Sequence, residues 1–287
     1  MIPFDLAEPR SLGDAIALLE DDDPAIRPIA GGTGLMLMMK SGFFRPVRLV
    51  SLRRIERRYA GIAREPDGTL RIGAMASLRA LEHSPELRGA VPVVARTLHD
   101  VANVRVRNVA TVGGNLAHAD PHLDLPPVWI ALGASVAITG AQGTRTIPVE
   151  ALFAGYYETT LRRGEVITEL AVPPQAGRRA AYLKCTARAA HDWPAIGIAV
   201  SLRLAGDRIE DPRIALGAAT AKPVRLNAAE AALRGGRIDA VTLGRAGDAA
   251  VEEAAIEGDH HGSAAYKKEL LRVYLARAVA AAVAEER

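Results

Sequence analysis

Cysteine is nearly absent: Cys185 stands alone in 287 residues. No internal disulfide can form, and an iron–sulfur cluster, which takes about four ligands, cannot be held by this chain alone. Aromatic residues are also scarce, at 4%. Single-stranded nucleic-acid grooves interleave cations with stacking aromatics, so the densest basic stretch (Arg53, Arg54, Arg57 and Arg58 around Glu56) reads instead as a solvated face or a subunit contact. No apolar run approaches the ~20 residues that cross a bilayer, so no membrane span is expected. Met1 to Arg10 carries Asp5 and Glu8 and no apolar stretch, which argues against a secretory signal and for the cytoplasm. Two nucleotide motifs are missing as well. Nothing fits the P-loop, and Gly32-x-Gly34 is followed by Leu35, Met36 and Leu37 rather than by the third glycine of a dinucleotide fingerprint. No nucleophile elbow is present to suggest a hydrolase.

What is there is an ordinary globular composition, 49% hydrophobic and 24% charged with a formal net charge of +3. The length suggests two domains, or one with subdomains. Ser11 opens a helix running to Glu20, with Leu12, Ala15, Ile16 and Leu19 on one face. A strand over Ile26–Ala30, a helical turn over Leu35–Lys40 and a strand over Leu49–Leu52 complete a first α/β unit. Then come a strand over Thr69–Met75, a short helix capped by Ser77, and helical spacing over Val91–Ala102 and Leu125–Leu132. Ser135–Thr139 and Thr144–Val149 pair as a hairpin, and the strand Val166–Val172 ends at Pro173-Pro174, the best boundary candidate. Beyond it lie three strands (Ala180–Ala187, Ile196–Leu204 and Arg208–Ala218), a helix with Asn227 and Glu230 as a capping box, and a long helix from Ser263 to Val283. The order is that of an α+β protein whose C-terminal antiparallel sheet is covered by helices.

Two glycine loops carry the chemistry. Ala30-Gly31-Gly32-Thr33-Gly34 follows a strand, and glycines let main-chain amides approach a phosphate; the same string also serves as a plain strand-to-helix turn. Thr111-Val112-Gly113-Gly114-Asn115 sets two glycines between a hydroxyl and an amide side chain. Its main-chain amides, the Thr111 hydroxyl and the Asn115 side chain together offer several phosphate donors. A single diphosphate gripped from both sides would use both loops.

These strings, with Arg107-Asn108, Ala119-Asp120-Pro121, Asp124-Leu125-Pro126, Ile72-Gly73-Ala74, Tyr182-Leu183-Lys184 and the helix from Ser263 through Tyr266 to Arg277-Ala278, closely resemble the FAD-binding (medium) subunit of molybdenum hydroxylases of the xanthine dehydrogenase and carbon monoxide dehydrogenase type. The resemblance covers nearly the whole chain. It implies a two-lobed FAD-binding domain of the vanillyl-alcohol oxidase type over 1–173, with lobes of about 1–57 and 58–173. A C-terminal domain over 174–287, built on a three-stranded antiparallel sheet with helices, would follow. It also implies an oxidoreductase subunit that takes electrons from 2Fe–2S clusters and passes them from FAD to NAD, oxygen or another acceptor. Partners would be a molybdopterin-binding large subunit and a 2Fe–2S small subunit, in a dimer of heterotrimers. A scaffold that has lost its flavin, and an independent flavin oxidase, are the alternatives.

On the same resemblance, Ile29, Ala30, Gly31, Gly32, Thr33, Gly34, Leu35, Val101, Thr111, Val112, Gly113, Gly114, Asn115, Asp124, Ile167, Lys184, Asp192 and Trp193 bind the cofactor, and no residue is a classical catalyst. Asp124 would accept hydrogen bonds from the nucleotide. Lys184 would bring a cation near the flavin, favouring the anionic reduced form, or else is a strand lysine facing water. Trp193 stands where the family sets an aliphatic or aromatic residue over the isoalloxazine; it would stack on the ring, with Asp192 at the N5 edge, or anchor a loop in the core. The alternation His118, Asp120, His122, Asp124 has ligand types that suit zinc or iron, but Pro121 interrupts a regular strand, and the stretch reads better as a nucleotide loop. His260-His261 reads as an exposed loop, Cys185 as a buried strand thiol, and Met36, Met38 and Met39 as adaptable packing.

Overall fold

The computed structural model describes residues 2–21 and 23–284. A small sheet comes first, with β1 (Asp5–Ala7), β2 (Ile26–Ile29) and β3 (Arg48–Ser51) in the order β1-β3-β2, all parallel. Its crossovers are α1 (Leu12–Leu19) and α2 (Thr33–Lys40). Ser11 caps α1 by accepting from the Asp14 amide at 3.1 Å, and Leu12, Ala15, Ile16 and Leu19 form its buried face as their spacing predicts.

The second sheet is antiparallel throughout. Here β4 (Ile62–Arg64), β5 (Leu70–Gly73), β6 (Ser135–Gly140), β7 (Gly143–Pro148) and β10 (Val166–Val172) lie in the order β4-β5-β10-β6-β7. A two-stranded ribbon, β8 (Phe153–Gly155) and β9 (Glu158–Thr159), sits outside it. Between β5 and β6 the chain makes six helices: α3 (Leu78–His83), α4 (Pro85–Ala90), α5 (Pro92–His99), α6 (Val104–Val109), α7 (Val112–His118) and α8 (Leu125–Ala131). Every residue of α8 is buried.

The C-terminal portion is an antiparallel sheet of β11 (Arg179–Cys185), β12 (Ile196–Ala205), β13 (Arg208–Gly217) and β14 (Val224–Arg225), covered by α9 (Asn227–Leu233), α10 (Ala240–Glu253) and α11 (Ala264–Ala284). The expected three strands are joined by a short fourth, because Val224 and Arg225 pair with Leu216 and Ala215. The expected capping box at Asn227 does not form: Glu230 turns inward instead, accepting from Arg225 Nε at 2.7 Å and from the Ile214 amide at 2.9 Å. Cys185 is half-buried rather than fully enclosed. No helix among the described residues is long and apolar enough to cross a membrane.

Strand β12 explains how the C-terminal sheet attaches. Ile198 and Val200 face the core shared with α11, while Ala199 between them belongs to the core of the second sheet and α8. Alternation along a strand sends successive side chains to opposite faces, so both faces of β12 are covered. Ile198→Ala should therefore lower stability by ~2–5 kcal/mol through a cavity, and Ala199→Leu by ~1–3 kcal/mol through overpacking against α8. Denaturant unfolding checks both; a neutral Ala199→Leu would mean that this face is open.

Candidate functional site

The first loop leaves β2 at Ile29 and enters α2 through Gly32, whose φ of 75° lies in the left-handed region where a side chain is strained. No side chain caps this helix. The amides of Thr33, Gly34 and Leu35 occupy its first turn, where no intrahelical acceptor exists, and none of the described residues accepts from them. Three N–H groups at the positive end of a helix form an anion-binding corner.

The second loop is built differently. Asn103 caps α6 by accepting from the Val106 amide at 3.1 Å, and α6 delivers the chain to Thr111. Thr111 caps α7, its Oγ accepting from the Gly114 amide at 3.1 Å. The Val112 amide donates to the Ala76 carbonyl at 3.0 Å, Gly113 to Ala74 at 2.8 Å and Asn115 to Thr111 at 2.8 Å. All four amides are thus occupied within the protein. The main-chain donors expected to face a phosphate are taken up inside the protein here, and Gly113 allows close packing. A Cβ on Gly113 would sit 2.7 Å from Ala74 Cβ. What the loop leaves unsatisfied is a side chain, since Asn115 Oδ1 is buried without a hydrogen-bond partner.

The two loops meet. A Cβ on Gly31 would lie 2.1 Å from the Val109 carbonyl oxygen, and a Cβ on Gly114 would lie 3.8 Å from Ala30 Cβ. A Cβ on Gly34 would strike the His118 ring at 2.7 Å, so α2 and α7 also touch one turn further on. Ala30 and Thr111 line one cavity of about 270 Å³ together with Arg53, Arg57, Met75 and Asn108. Val101, Val112 and Ile167 are buried in the core behind these loops.

From His118 a chain of contacts leads away from the glycines. The His118 ring meets Tyr157 edge-on at 5.2 Å, and burial lowers its pKa. The Tyr157 hydroxyl donates to Asp120 Oδ2 at 2.7 Å, and Asp120 Oδ1 lies 3.2 Å from His122 Nδ1. Burial opposes ionisation of Asp120, but the hydrogen bonds from His122 and Tyr157 outweigh it and hold the carboxyl below its ordinary range. Trp193 stacks on His122 with centroids 5.9 Å apart and planes at 26°. It is half exposed, so it does not anchor a core. His261, expected in an exposed loop, is instead half-buried beside His122, at 5.4 Å between centroids. The sequence pattern His118, Asp120, His122 flagged this stretch, yet Tyr157 carried no signal of its own.

Asp124, Lys184 and Asp192 form a separate knot. Asp124 accepts from the Tyr182 hydroxyl at 2.7 Å and from Lys184 Nζ at 3.0 Å. Lys184 also donates to the carbonyls of Asp100 at 2.9 Å and Asp192 at 3.3 Å, so it does not face water. The Asp192 carboxylate caps its own loop at the Ala189 amide, 3.3 Å away. Burial raises the pKa of Asp124, and the Lys184 charge only partly offsets it.

Arg107 holds the turn that carries Val101. Its Nε donates to Glu82 at 3.1 Å and its Nη1 to the carbonyls of Val101 and Ala102 at 2.8 and 3.1 Å. Both side chains of the ion pair are nearly enclosed, at 10% and 11% exposure. Removing the cation leaves Glu82 only the more exposed Arg79, 3.3 Å away, and frees the carbonyls of Val101 and Ala102. Arg107→Met should therefore destabilise the protein by roughly 1–3 kcal/mol, and the double change with Glu82→Leu by less. A cycle of unfolding measurements checks this; equal losses in the single and double variants would refute the coupling.

Two family descriptions match the chain: FAD binding domain in molybdopterin dehydrogenase over residues 2–175, and CO dehydrogenase flavoprotein C-terminal domain over residues 181–282. The chain is 35% identical over 285 residues to the carbon monoxide dehydrogenase medium chain of Hydrogenophaga pseudoflava, covering 98% of each. It is 32% identical to the nicotine 6-hydroxylase medium subunit of Paenarthrobacter nicotinovorans, covering 95% of each. A solved structure of carbon monoxide dehydrogenase from Hydrogenophaga pseudoflava, lacking the Mo-pyranopterin moiety, superposes with a TM-score of 0.94 at 37% identity and 99% coverage of both chains. The chain therefore belongs to the FAD-binding flavoprotein subunits of the molybdopterin dehydrogenases, a family of oxidoreductase components.

Proposed function

We propose that this chain is the electron-transfer subunit of a cytoplasmic molybdenum hydroxylase, taking electrons from the 2Fe–2S clusters of a small subunit and passing them through FAD to NAD, oxygen or another acceptor. The observation that carries the reading is the free helix corner of Thr33, Gly34 and Leu35 pressed against the second glycine loop. One cysteine leaves the clusters to a partner. Similarity to proteins named medium chain and medium subunit supports membership of a multi-subunit complex; in this reading the partner is a molybdopterin-binding large subunit and the assembly a dimer of heterotrimers. In this reading 1–173 form a two-lobed FAD-binding domain of the vanillyl-alcohol oxidase type, with lobes of about 1–57 and 58–173, and 174–287 form the C-terminal flavoprotein domain.

The residues fit the cofactor. Thr33, Gly34 and Leu35 offer amides to a phosphate, and Gly31 and Gly34 leave out the Cβ atoms that would separate the loops. Asn115 Oδ1 is a buried acceptor suited to a hydroxyl of the ribose or ribityl chain. Ile29, Ala30, Gly32, Val101, Thr111, Val112, Gly113, Gly114 and Ile167 shape the wall. Asp124 fixes Lys184, which supplies positive charge on the flavin side, while Asp192 holds the loop that carries Trp193. FAD, when bound, supplies reversible two-electron redox chemistry. The protein binds, orients and screens it, and no side chain is nominated as a classical catalyst.

Two outcomes test the reading on the assembled complex. Gly31→Ala should weaken flavin retention about tenfold or more, in line with ~1–3 kcal/mol of overpacking. Gly89→Ala, where an added methyl meets nothing within 4 Å, should leave it unchanged. A folded Gly31→Ala complex with full flavin absorbance, or a colourless wild type, would overturn the proposal and favour a scaffold. Separately, Trp193→Ala should raise the fluorescence of bound flavin; unaltered quenching would contradict stacking.

A further inference from the structure

His122 lies between α7 and α8, and both of its ring nitrogens meet carboxylates. Nδ1 stands 3.2 Å from Asp120 Oδ1, and Nε2 stands 2.9 Å from Asp259 Oδ2, 137 residues further along the chain. A neutral imidazole has one N–H and one acceptor nitrogen; two carboxylates are served only when both nitrogens carry protons. The charges around the ring balance on the same condition. Lys267, 1% exposed, donates to Asp259 at 2.8 Å and to the Ala218 carbonyl at 2.9 Å. Two carboxylates therefore face one ammonium, and an imidazolium completes the neutral set. Tyr157 and the His122 amide complete the shell of Asp120, at 2.7 and 2.9 Å, and the His261 amide that of Asp259, at 2.8 Å.

His122 is where this cluster crosses between the two portions of the chain, through its hydrogen bond to Asp259 and its stacking with Trp193. Asp120, His122 and Tyr157 come from the segment matched to the FAD-binding description, while Asp259, Lys267 and Trp193 come from the C-terminal one. Backbone contact follows the same seam, with the Ala218 amide donating to the Pro121 carbonyl at 2.8 Å. Trp193, half exposed and stacked on His122, has its indole supported by this ring.

We propose that His122 is carried as an imidazolium that latches the FAD-binding portion to the C-terminal portion and seats Trp193, so that the seam and the indole loosen together when the ring loses its proton. Burial alone would push its pKa down, but the hydrogen bonds and charges of Asp120 and Asp259 outweigh that and raise it. The group's folded pKa is thus above its unfolded value near 6.5. Its stabilisation is complete below that value and is lost as pH climbs through the raised one. Neighbouring groups do not share the window. Asp120 and Asp259 are held below the carboxylate range, Tyr157 is pushed up, and His118 and His261 are lowered. The latch stands whether or not Trp193 covers a flavin.

The test uses the full chain with labelled histidine rings. Among the seven histidines, the resonance missing in His122→Gln should titrate above 6.5, and Asp259→Asn should lower its midpoint. The emission of Trp193, isolated as the difference from Trp193→Phe, should change with that same midpoint. Thermal stability of the wild type should fall across this pH range more steeply than that of His122→Gln. If His122→Gln fails to fold, the resonance displaced by Asp259→Asn, which keeps the ring, carries the assignment. A His122 midpoint at or below 6.5, an indole signal indifferent to it, or parallel stability profiles would each overturn the proposal.

Discussion

The carbonyl oxygen of Val109 stands where a side chain on residue 31 would have to be, only 2.1 Å from an ideal Cβ. That single steric fact decides how the first α/β unit sits against the helical layer. A methyl group there would push β2 and its helix away from α6 and α7, and with them the contacts of Ala30 with Gly114 and of Gly34 with His118. Protein interiors transmit such displacements because they are close-packed. The two glycine loops are therefore held in close contact, and Ala30 and Thr111 line one cavity where they meet.

Within the seam the two loops divide the labour. The first is an uncapped helix end with amides to offer, since Gly32 adopts a left-handed conformation and brings no capping side chain. The second is a satisfied turn whose amides already bond to Ala74, Ala76 and Thr111, leaving the Asn115 side chain as its unpaired group. Free main-chain donors thus belong to one loop and close packing to the other. Beyond His118, buried polar groups continue through Tyr157, Asp120 and His122 to Trp193, so the helix corner and the indole are connected by side chains rather than by one element.

Much of this was legible in the sequence where a local rule applied. The amphipathic spacing of Leu12, Ala15, Ile16 and Leu19 and the strand Val166–Val172 follow from periodicity, and Pro173-Pro174 marks that strand's end. Helix α10 is hidden because two glycines, Gly244 and Gly247, lie in it and its buried face is small, with Gly247 against Arg272. The Asn227–Glu230 pair mimics a capping box, but a half-buried Arg225 claims Glu230. Both glycine loops announced themselves as anion sites, the second more specifically because Thr111 and Asn115 flank its glycines. Which amides remain free depends on β5 and the residues after it approaching α7, a non-local contact that no spacing encodes. Tyr157 and Lys267 were silent for the same reason, each acquiring its role from a partner distant in the chain.

On the proposed function, the first loop supplies the phosphate-binding amides while the second supplies the wall. Amide hydrogen exchange of the assembled complex, with and without FAD, measures this directly. Thr33, Gly34 and Leu35 should exchange rapidly without the cofactor and become protected with it, whereas Val112 to Asn115 should be protected in both states. Protection gained at Val112 to Asn115, with none at Thr33 to Leu35, would contradict the account.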